Sequence, residues 1–341
     1  MAAADTPVLI TGTAGFIGFH LARLLLDRGF PVIGFDGMTD YYDVSLKQRR
    51  HQMLKQNSGF TAHEAMLEDE DALMQVCREH EPQVIIHLAA QAGVRYSIDH
   101  PRSYVDANLV GSFNVLEAAR EFGVRHLLMA STSSVYGANT EMPFGENQKA
   151  DTQLSFYAAT KKATEAMAHA YAHIHGLPIT MFRFFTVYGP WGRPDMALFK
   201  FTKAMLAGAP IDVYNHGRMQ RDFTYIDDLV EGISRLIDAV PPMPEDRGEP
   251  LPEDSLSPEA PWRVVNIGNA SPVELMAYIG ALEKALSMTA EKNMMEIQQG
   301  DVTATWADTS LLKALTGYTP TTSVEDGVAK FVTWYRDYYQ V

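Results

Sequence analysis

Cysteine is nearly absent from this sequence: 341 residues contain one, Cys77. Without a second thiol no intramolecular disulfide is possible, which suits a reducing compartment. A nucleophilic Cys77 would need a His or Asn partner, and the neighbouring sequence suggests none. A small apolar filler on a helix over 71–80 is the better reading. Excess positive charge is lacking too. Lys and Arg number 28 against 42 Asp and Glu, a net charge of −14, so the protein as a whole repels nucleic acid and anionic membrane. Any anionic ligand must be met by arginines gathered locally. No apolar run reaches the ~20 residues that a spanning helix needs. Residues 8–26 come nearest, but His20, Arg23 and three glycines interrupt them. Met1-Ala2-Ala3-Ala4-Asp5 carries no basic stretch of the signal-peptide kind. A cytoplasmic protein is expected, with neither nucleic acid nor membrane as a partner.

The chain is long enough for one large domain or two closely joined ones. Val8-Leu9-Ile10 is a short apolar run ending in Thr11-Gly12, residues 16–28 have helical periodicity closed by Gly29, and residues 31–35 are apolar again up to Asp36. That is strand, glycine turn, helix, strand. The rhythm repeats as strand 84–88, helix 103–122, strand 126–130, helix 157–175 and strand 179–184. Alternation of this kind predicts a parallel sheet covered on both faces, with ligands at the carboxyl ends of its strands. Beyond Phe184 the pattern loosens. Residues 189–195 and 214–222 read as loops around a helix over 197–207, followed by a helix over 227–239 and a short strand over 263–267. Residues 240–261, rich in Pro, Glu and Asp, read as a solvated surface loop rather than a recruitment motif.

Gly12-Thr13-Ala14-Gly15-Phe16-Ile17-Gly18 sits between strand and helix, where a nucleotide-binding turn belongs. Glycine lets the backbone turn tightly and approach a pyrophosphate, whose charge is met by free N–H groups at the helix start. The Gly-x-x-Gly-x-x-Gly spacing is one residue longer than the common dinucleotide fingerprint and is a weak signal alone. Asp36, at the end of the next strand, strengthens it: a carboxylate there accepts from ribose hydroxyls and repels a 2′-phosphate. Gly37-Met38-Thr39 supplies no cation, and Lys47, Arg49 and Arg50 belong to a different segment. NAD is therefore expected over NADP.

Tyr157-Ala158-Ala159-Thr160-Lys161 places a phenol and an ammonium one turn apart on a helix. A tyrosine acting as base near neutral pH needs a cation to stabilise its phenolate, since its reference pKa is ~10. Upstream, Ser131-Thr132-Ser133-Ser134-Val135-Tyr136-Gly137 brings hydroxyls to the sheet's carboxyl edge, where one can hold a substrate oxygen beside the phenol.

With Thr11–Gly18 written out as Thr11-Gly12-Thr13-Ala14-Gly15-Phe16-Ile17-Gly18, with His87-Leu88-Ala89-Ala90-Gln91-Ala92-Gly93-Val94-Arg95 and Arg221-Asp222-Phe223-Thr224-Tyr225-Ile226-Asp227-Asp228, the chain resembles the extended short-chain dehydrogenase/reductases of nucleotide-sugar metabolism over essentially its whole length. The resemblance implies a Rossmann-type doubly wound parallel sheet over 1–185, with returns near 220–240 and 262–270. A smaller substrate-binding domain would comprise 186–219, 241–261 and 271–341. It implies Thr132 as catalytic hydroxyl, Tyr157 as base and Lys161 as its partner. Gly12, Gly15, Phe16, Ile17, Gly18, Asp36, Leu88, Ala89, Ala90, Tyr157 and Lys161 would hold NAD.

Within that family, Asp40-Tyr41-Tyr42-Asp43-Val44-Ser45-Leu46-Lys47, residues 91–97 and residues 182–197 are most similar to the UDP-glucuronate 4-epimerase branch. Galactose-acting epimerases usually have Asn where Thr186 stands. Dehydratases have Asp-Glu where Ser133-Ser134 stand, and decarboxylases tend to place a Glu in that stretch. By resemblance, Tyr157 and Thr132 take the 4-OH proton while C4 gives hydride to NAD. The resulting 4-keto sugar bears a 5-carboxylate and is prone to lose CO₂. Ser133, Ser134 and Thr186, with Arg193, would grip that carboxylate and hold its breaking bond out of line with the carbonyl. Arg221 would meet the diphosphate, Asp301 the uridine ribose, and Arg95 would reach the substrate; Arg218 is either a further phosphate contact or a surface charge. Another UDP-sugar 4-epimerase or a UDP-glucuronate decarboxylase is the alternative enzyme. A redox sensor that binds NAD without turnover is the alternative of a different class, and the intact Thr132/Tyr157/Lys161 set argues against it.

Two positions depart from relatives: Met66, where many have an adenine-contacting Asp, and Gly37, where Asn is common. His169, His173 and His175 share a helix, but without an acidic third ligand or a His-Glu-x-x-His frame they read as packed or subunit-facing, and no metal is expected. In relatives the helices corresponding to 103–122 and 157–175 pair across a two-fold axis, which implies a homodimer.

Overall fold

A computed structural model describes residues 6–249, 251, 253–298 and 300–341. Met1–Asp5, Pro250, Pro252 and Gln299 lie outside the described residues. In chain order the first half runs β1 (Val8–Thr11), α1 (Phe16–Asp27), β2 (Val32–Asp36), α2 (Val44–Lys55), β3 (Phe60–Glu64), α3 (Glu70–His80), β4 (Val84–His87), α4 (Tyr96–Asp99) and α5 (Pro101–Tyr104). A π-helical stretch, Val105–Val110, leads into α6 (Gly111–Glu121), then β5 (His126–Thr132), α7 (Phe156–His175) and β6 (Ile179–Phe184). The second half runs β7 (Thr186–Tyr188), α8 (Ala197–Leu206), β8 (Ile211–Val213), β9 (Gln220–Tyr225), α9 (Ile226–Leu236), β10 (Trp262–Ile267), β11 (Pro272–Glu274), α10 (Leu275–Leu286), β12 (Lys292–Met294), β13 (Ala304–Thr305), α11 (Ser310–Thr316) and α12 (Val324–Tyr339).

Seven strands form one parallel sheet in the order β10-β6-β5-β4-β1-β2-β3. The order reverses between β1 and β4, which places a crevice outside their carboxyl ends, the position where open α/β sheets bind ligands. The central strands are apolar throughout because both faces are covered. Alternate residues of β1 divide accordingly: Val8 and Ile10 pack with α1 and α9, whereas Leu9 packs with α3, α6 and α7. A smaller sheet gathers β7, β11 and β13 around β9, and β8 pairs with β12. No helix among the described residues is long and apolar enough to cross a membrane.

The expected first-half strands and helices are found, except that the helix expected over 103–122 is divided by the π-helical stretch; the helix at 71–80 is present with Cys77 fully buried in it. Burial pushes the Cys77 thiol up to about 12, which suits a filler and not a nucleophile. Residues 214–222 correct an expectation: only Tyr214–Gly217 is a tight turn, and from Gln220 the chain is strand β9. Its polar opening hid the strand. Asp222 is fully buried there because its carboxylate accepts from the backbone amides of Asn269, Ala270 and Ala307 at 2.7–3.0 Å. Among the described residues of 240–261, Pro244–Asp246 forms a short helical turn, and an Arg263–Asp254 ion pair with both side chains buried ties the segment down.

Candidate active site

At the end of β1, Gly12 has φ +83°, and a methyl there would stand 2.8 Å from the Ala89 nitrogen. On Gly18 a methyl would stand 2.1 Å from the Gly12 carbonyl oxygen. Only hydrogen fits at either position, so the turn lies flat against the start of α1. Helix α1 has no side-chain cap and no acidic residue in its first turn, leaving its opening amides to an incoming anion. Asp36 ends β2 beside them, held by the amides of Ala14 (2.8 Å) and Met38 (2.9 Å). The cleft so formed fits an extended dinucleotide.

The opposite end is built by β5 and α7. Thr132 caps the turn Ser133–Tyr136, its hydroxyl accepting from the Ser134 amide at 3.2 Å and donating to the Ser134 hydroxyl at 3.2 Å. Ser155 caps α7 by accepting from the Ala158 amide at 3.1 Å, so Tyr157 and Lys161 occupy its first two turns. Burial raises the Tyr157 phenol above its ordinary value, while its bond with Thr132 and the nearby Arg193 charge pull it down. Lys161 is 2% exposed; its ammonium donates to the Ala130 carbonyl at 2.9 Å, and burial lowers it to about 8.

Buried polar groups lock this pair in place. Glu165, one turn after Lys161, accepts from Ser131 of β5 (2.7 Å) and takes both ends of the Arg183 guanidinium of β6 (2.9 Å each). Asn108, in the π-helical stretch, donates to Thr160 Oγ1 (3.1 Å) and to the Gln91 carbonyl (3.1 Å), while its carbonyl accepts from Thr164 (3.2 Å). The wider π turn frees that carbonyl and ties the segment after β4 to the helix of Tyr157.

The description "NAD dependent epimerase/dehydratase family" matches residues 8–247. The chain belongs to the NAD-dependent epimerase/dehydratase family. It is 60% identical over 333 residues to the probable UDP-glucuronate 4-epimerase of Rhizobium meliloti (strain 1021), covering 97% of each chain. It is 45% identical to UDP-glucuronate 4-epimerase 4 of Arabidopsis thaliana, covering 97% of this chain and 76% of that one. The crystal structure of Bacillus cereus UDP-glucuronic acid 4-epimerase in complex with UDP-glucuronic acid and NAD matches with a TM-score of 0.87 at 32% identity, covering 98% of this chain and 100% of that one.

Within this family site, Gly12, Gly15, Phe16, Ile17, Gly18, Asp36, Leu88, Ala89, Ala90, Thr132, Tyr157, Lys161 and Arg193 all line one cleft. Ser133 and Ser134 follow Thr132 directly. Thr186 opens β7 and lines a small adjoining pocket with Phe16 and Arg193. Arg95, Arg221 and Asp301 form a separate group: Arg95 pairs with Asp301 at 2.9 Å and lies 5.0 Å over the Tyr214 ring, and Arg221 donates to the Val302 carbonyl at 2.6 Å. Arg218 is exposed. The helix histidines point to different partners, His169 to Ser257 and His173 to the Glu259 carbonyl, and His175 lies against the Tyr171 ring. Gly37 and Met66 are a matched pair, since a methyl at 37 would stand 2.3 Å from the Met66 sulfur.

Several residues here escaped the sequence reading. Helix α2 folds back on the cleft, so Lys47, assigned to a different segment, lines it with Asp36; its ammonium is engaged by the Thr39 hydroxyl at 2.8 Å. Arg50 is fully buried with no carboxylate partner among the described residues. It donates to the carbonyls of Ala14 (2.9 Å), Trp191 (2.6 Å) and Gly192 (3.3 Å) and to the Tyr42 hydroxyl (2.8 Å). It thereby joins the glycine turn to the loop that carries Arg193. Tyr41 donates to Asp195 at 3.2 Å, and Asp195 also grips Arg193. A basic run such as Lys47-Gln48-Arg49-Arg50 gives no local sign that two of its cations are buried.

Proposed function

We propose that this chain interconverts UDP-glucuronate and UDP-galacturonate by inverting C4, with NAD held along the cleft from the glycine turn to Lys161. The observation that carries this reading is that Thr132, Tyr157 and Lys161 line the far end of a cleft whose near end is the glycine turn with the uncapped amides of α1. The 60% identity to the Rhizobium meliloti protein supports it. When bound, NAD would supply reversible hydride acceptance at C4, to either face of the ketone. Thr132 holds the 4-oxygen, Tyr157 removes and restores its proton, and the Lys161 cation favours the phenolate electrostatically. Ser133, Ser134, Thr186 and Arg193 hold the sugar carboxylate. Arg221 meets the diphosphate, Asp301 the uridine ribose, and Arg95 closes over the nucleotide.

Proton NMR of the protein with UDP-glucuronate and no added reductant tests the reaction. UDP-galacturonate is the expected product; UDP-xylose or a 4-ketopentose would redirect the assignment to a decarboxylase. In the same assay Thr186→Ala should release more CO₂ and pentose nucleotide, and unchanged partitioning would count against carboxylate restraint by the hydroxyl set. Asp36→Asn should weaken NAD binding by roughly 10- to 100-fold, since a hydrogen bond to a charged group contributes about 1.5–3 kcal/mol. It should also narrow the preference over NADP; fluorescence titration with both dinucleotides reads each.

The larger sheet, 1–185 with returns near 220–240 and 262–270, serves as the NAD-binding domain. Residues 186–219, 241–261 and 271–341 serve as the UDP-sugar domain. A homodimer through the helices over 103–122 and 157–175 is supported by exposed Val110, Phe113, Phe156 and Ile174, the last 70% exposed. The single buried thiol fits a cytoplasmic home.

A further inference from the structure

Away from the cleft, the free edge of the large sheet brings together three side chains with metal-binding chemistry. Strand β3 is the last strand in the sheet order. Its Phe60 and Ala62 pack on the side of α1 and α2, so His63 is turned to the other face, toward the end of α3. There His63 Nε2 meets His80 Nε2 at 3.0 Å, and one carboxylate oxygen of Glu79 lies within 4.8 Å of a ring nitrogen of each histidine. The rings meet edge-on, 68° apart, with their nitrogens and not their faces in contact. Both histidines are half-buried and Glu79 is exposed, so an ion can reach the group from solvent.

We propose that His63, His80 and Glu79 form a site for a divalent ion of the zinc class, separate from the reaction centre. The geometry fits: with Zn–N distances of ~2.0–2.1 Å, tetrahedral coordination holds two imidazole nitrogens roughly 3.3 Å apart, within a few tenths of an ångström of the gap observed. Two imidazoles and one carboxylate suit zinc, nickel or copper and are poor ligands for calcium or magnesium. Glu79 needs only to exchange the Gln75 amide, which it accepts at 2.9 Å on the helix surface, for the ion; water completes the shell. The ligands come from a strand and a helix, 17 residues apart, so no compact sequence frame announces them. A bound ion would fasten the last turn of α3 to an otherwise unpaired sheet edge. Nothing in this arrangement depends on the reaction assigned to the cleft.

Untagged, chelator-stripped protein titrated with zinc chloride in a calorimeter at pH 7.5 tests the site. One saturable event per chain is expected. His63→Ala and His80→Ala should each weaken it at least ~10-fold, and zinc should raise the Tm of the parent protein but of neither variant. His173→Ala, whose ring is engaged by the Glu259 carbonyl, should bind as the parent does. Circular dichroism without metal checks that each variant is folded, and His80→Gln replaces any that is not. Absence of saturable heat in the parent, or zinc affinity that survives both histidine replacements, would overturn the proposal.

Discussion

Tyr157→Phe should lower turnover of UDP-glucuronate by roughly 10²–10⁴-fold, the usual contribution of a positioned acid–base group. NAD content and thermal stability should stay close to those of the parent. The ring keeps its edge contact with Tyr104, centroids 6.0 Å apart, so the substitution removes the hydroxyl and little packing. What is lost is a phenol whose proton affinity is lowered by Thr132 and Arg193 in a site where burial otherwise disfavours charge. Initial rates by NMR, with NAD released by denaturation and quantified, separate the two effects. Full turnover by the phenylalanine protein would remove Tyr157 from the reaction and revive the reading of a dinucleotide sensor.

Arg183→Met should destabilise the fold by about 3–5 kcal/mol, because it leaves Glu165 buried and stripped of its bidentate partner. Lys162 also reaches Glu165, at 2.9 Å, but is one-third exposed and does not replace a buried fork. The pH dependence has a definite sign. Burial alone would raise the Glu165 carboxyl; Arg183, with Lys162 and Ser131, overrides it and holds the group down at about 2. A carboxyl lowered from its ordinary value of 4.5 adds stability above that value and loses it as pH falls toward 2. In the methionine variant burial is no longer opposed by Arg183, the carboxyl moves up, and protonation relieves the strain. The stability gap between parent and variant should therefore narrow from pH 7 to pH 4. Urea unfolding at the two pH values measures it, and a gap that widens in acid would contradict the assignment. Removing Glu165 as well, in Arg183→Met/Glu165→Met, should recover most of the loss.

The parts of this site that were legible in the sequence are those whose geometry is local. Glycines at three-residue spacing, a carboxylate at a strand end and a phenol one turn before an ammonium each state their arrangement within a few residues, and all of them line the cleft. What was not legible depends on distant partners. Strand β9 opens with Gln220-Arg221-Asp222 and looks like a loop until Asp222 is seen collecting amides from residues 269, 270 and 307. Edge strand β3 and helices α2, α10, α11 and α12 drew no assignment; α2 is so polar that its burial of Arg50 against three carbonyls has no local signature. The expected single helix over 103–122 contains a π turn because Asn108 answers to both the segment after β4 and α7. Asp222, Arg50 and Asn108 are each polar residues whose satisfaction comes from far along the chain.

Arg50 and the Arg95–Asp301 pair stitch the protein together across two different seams, and the seams differ in strength. Parting the first would strand a fully buried guanidinium without two of its carbonyl acceptors, Trp191 and Gly192, a costly event away from water. Parting the second frees an arginine already 49% exposed, at little expense. Breathing motions should therefore pivot about the Arg50 side and gape on the Arg95 side. The Arg95–Asp301 rim is thus the seam expected to open first, and the Arg50 seam the one expected to stay shut.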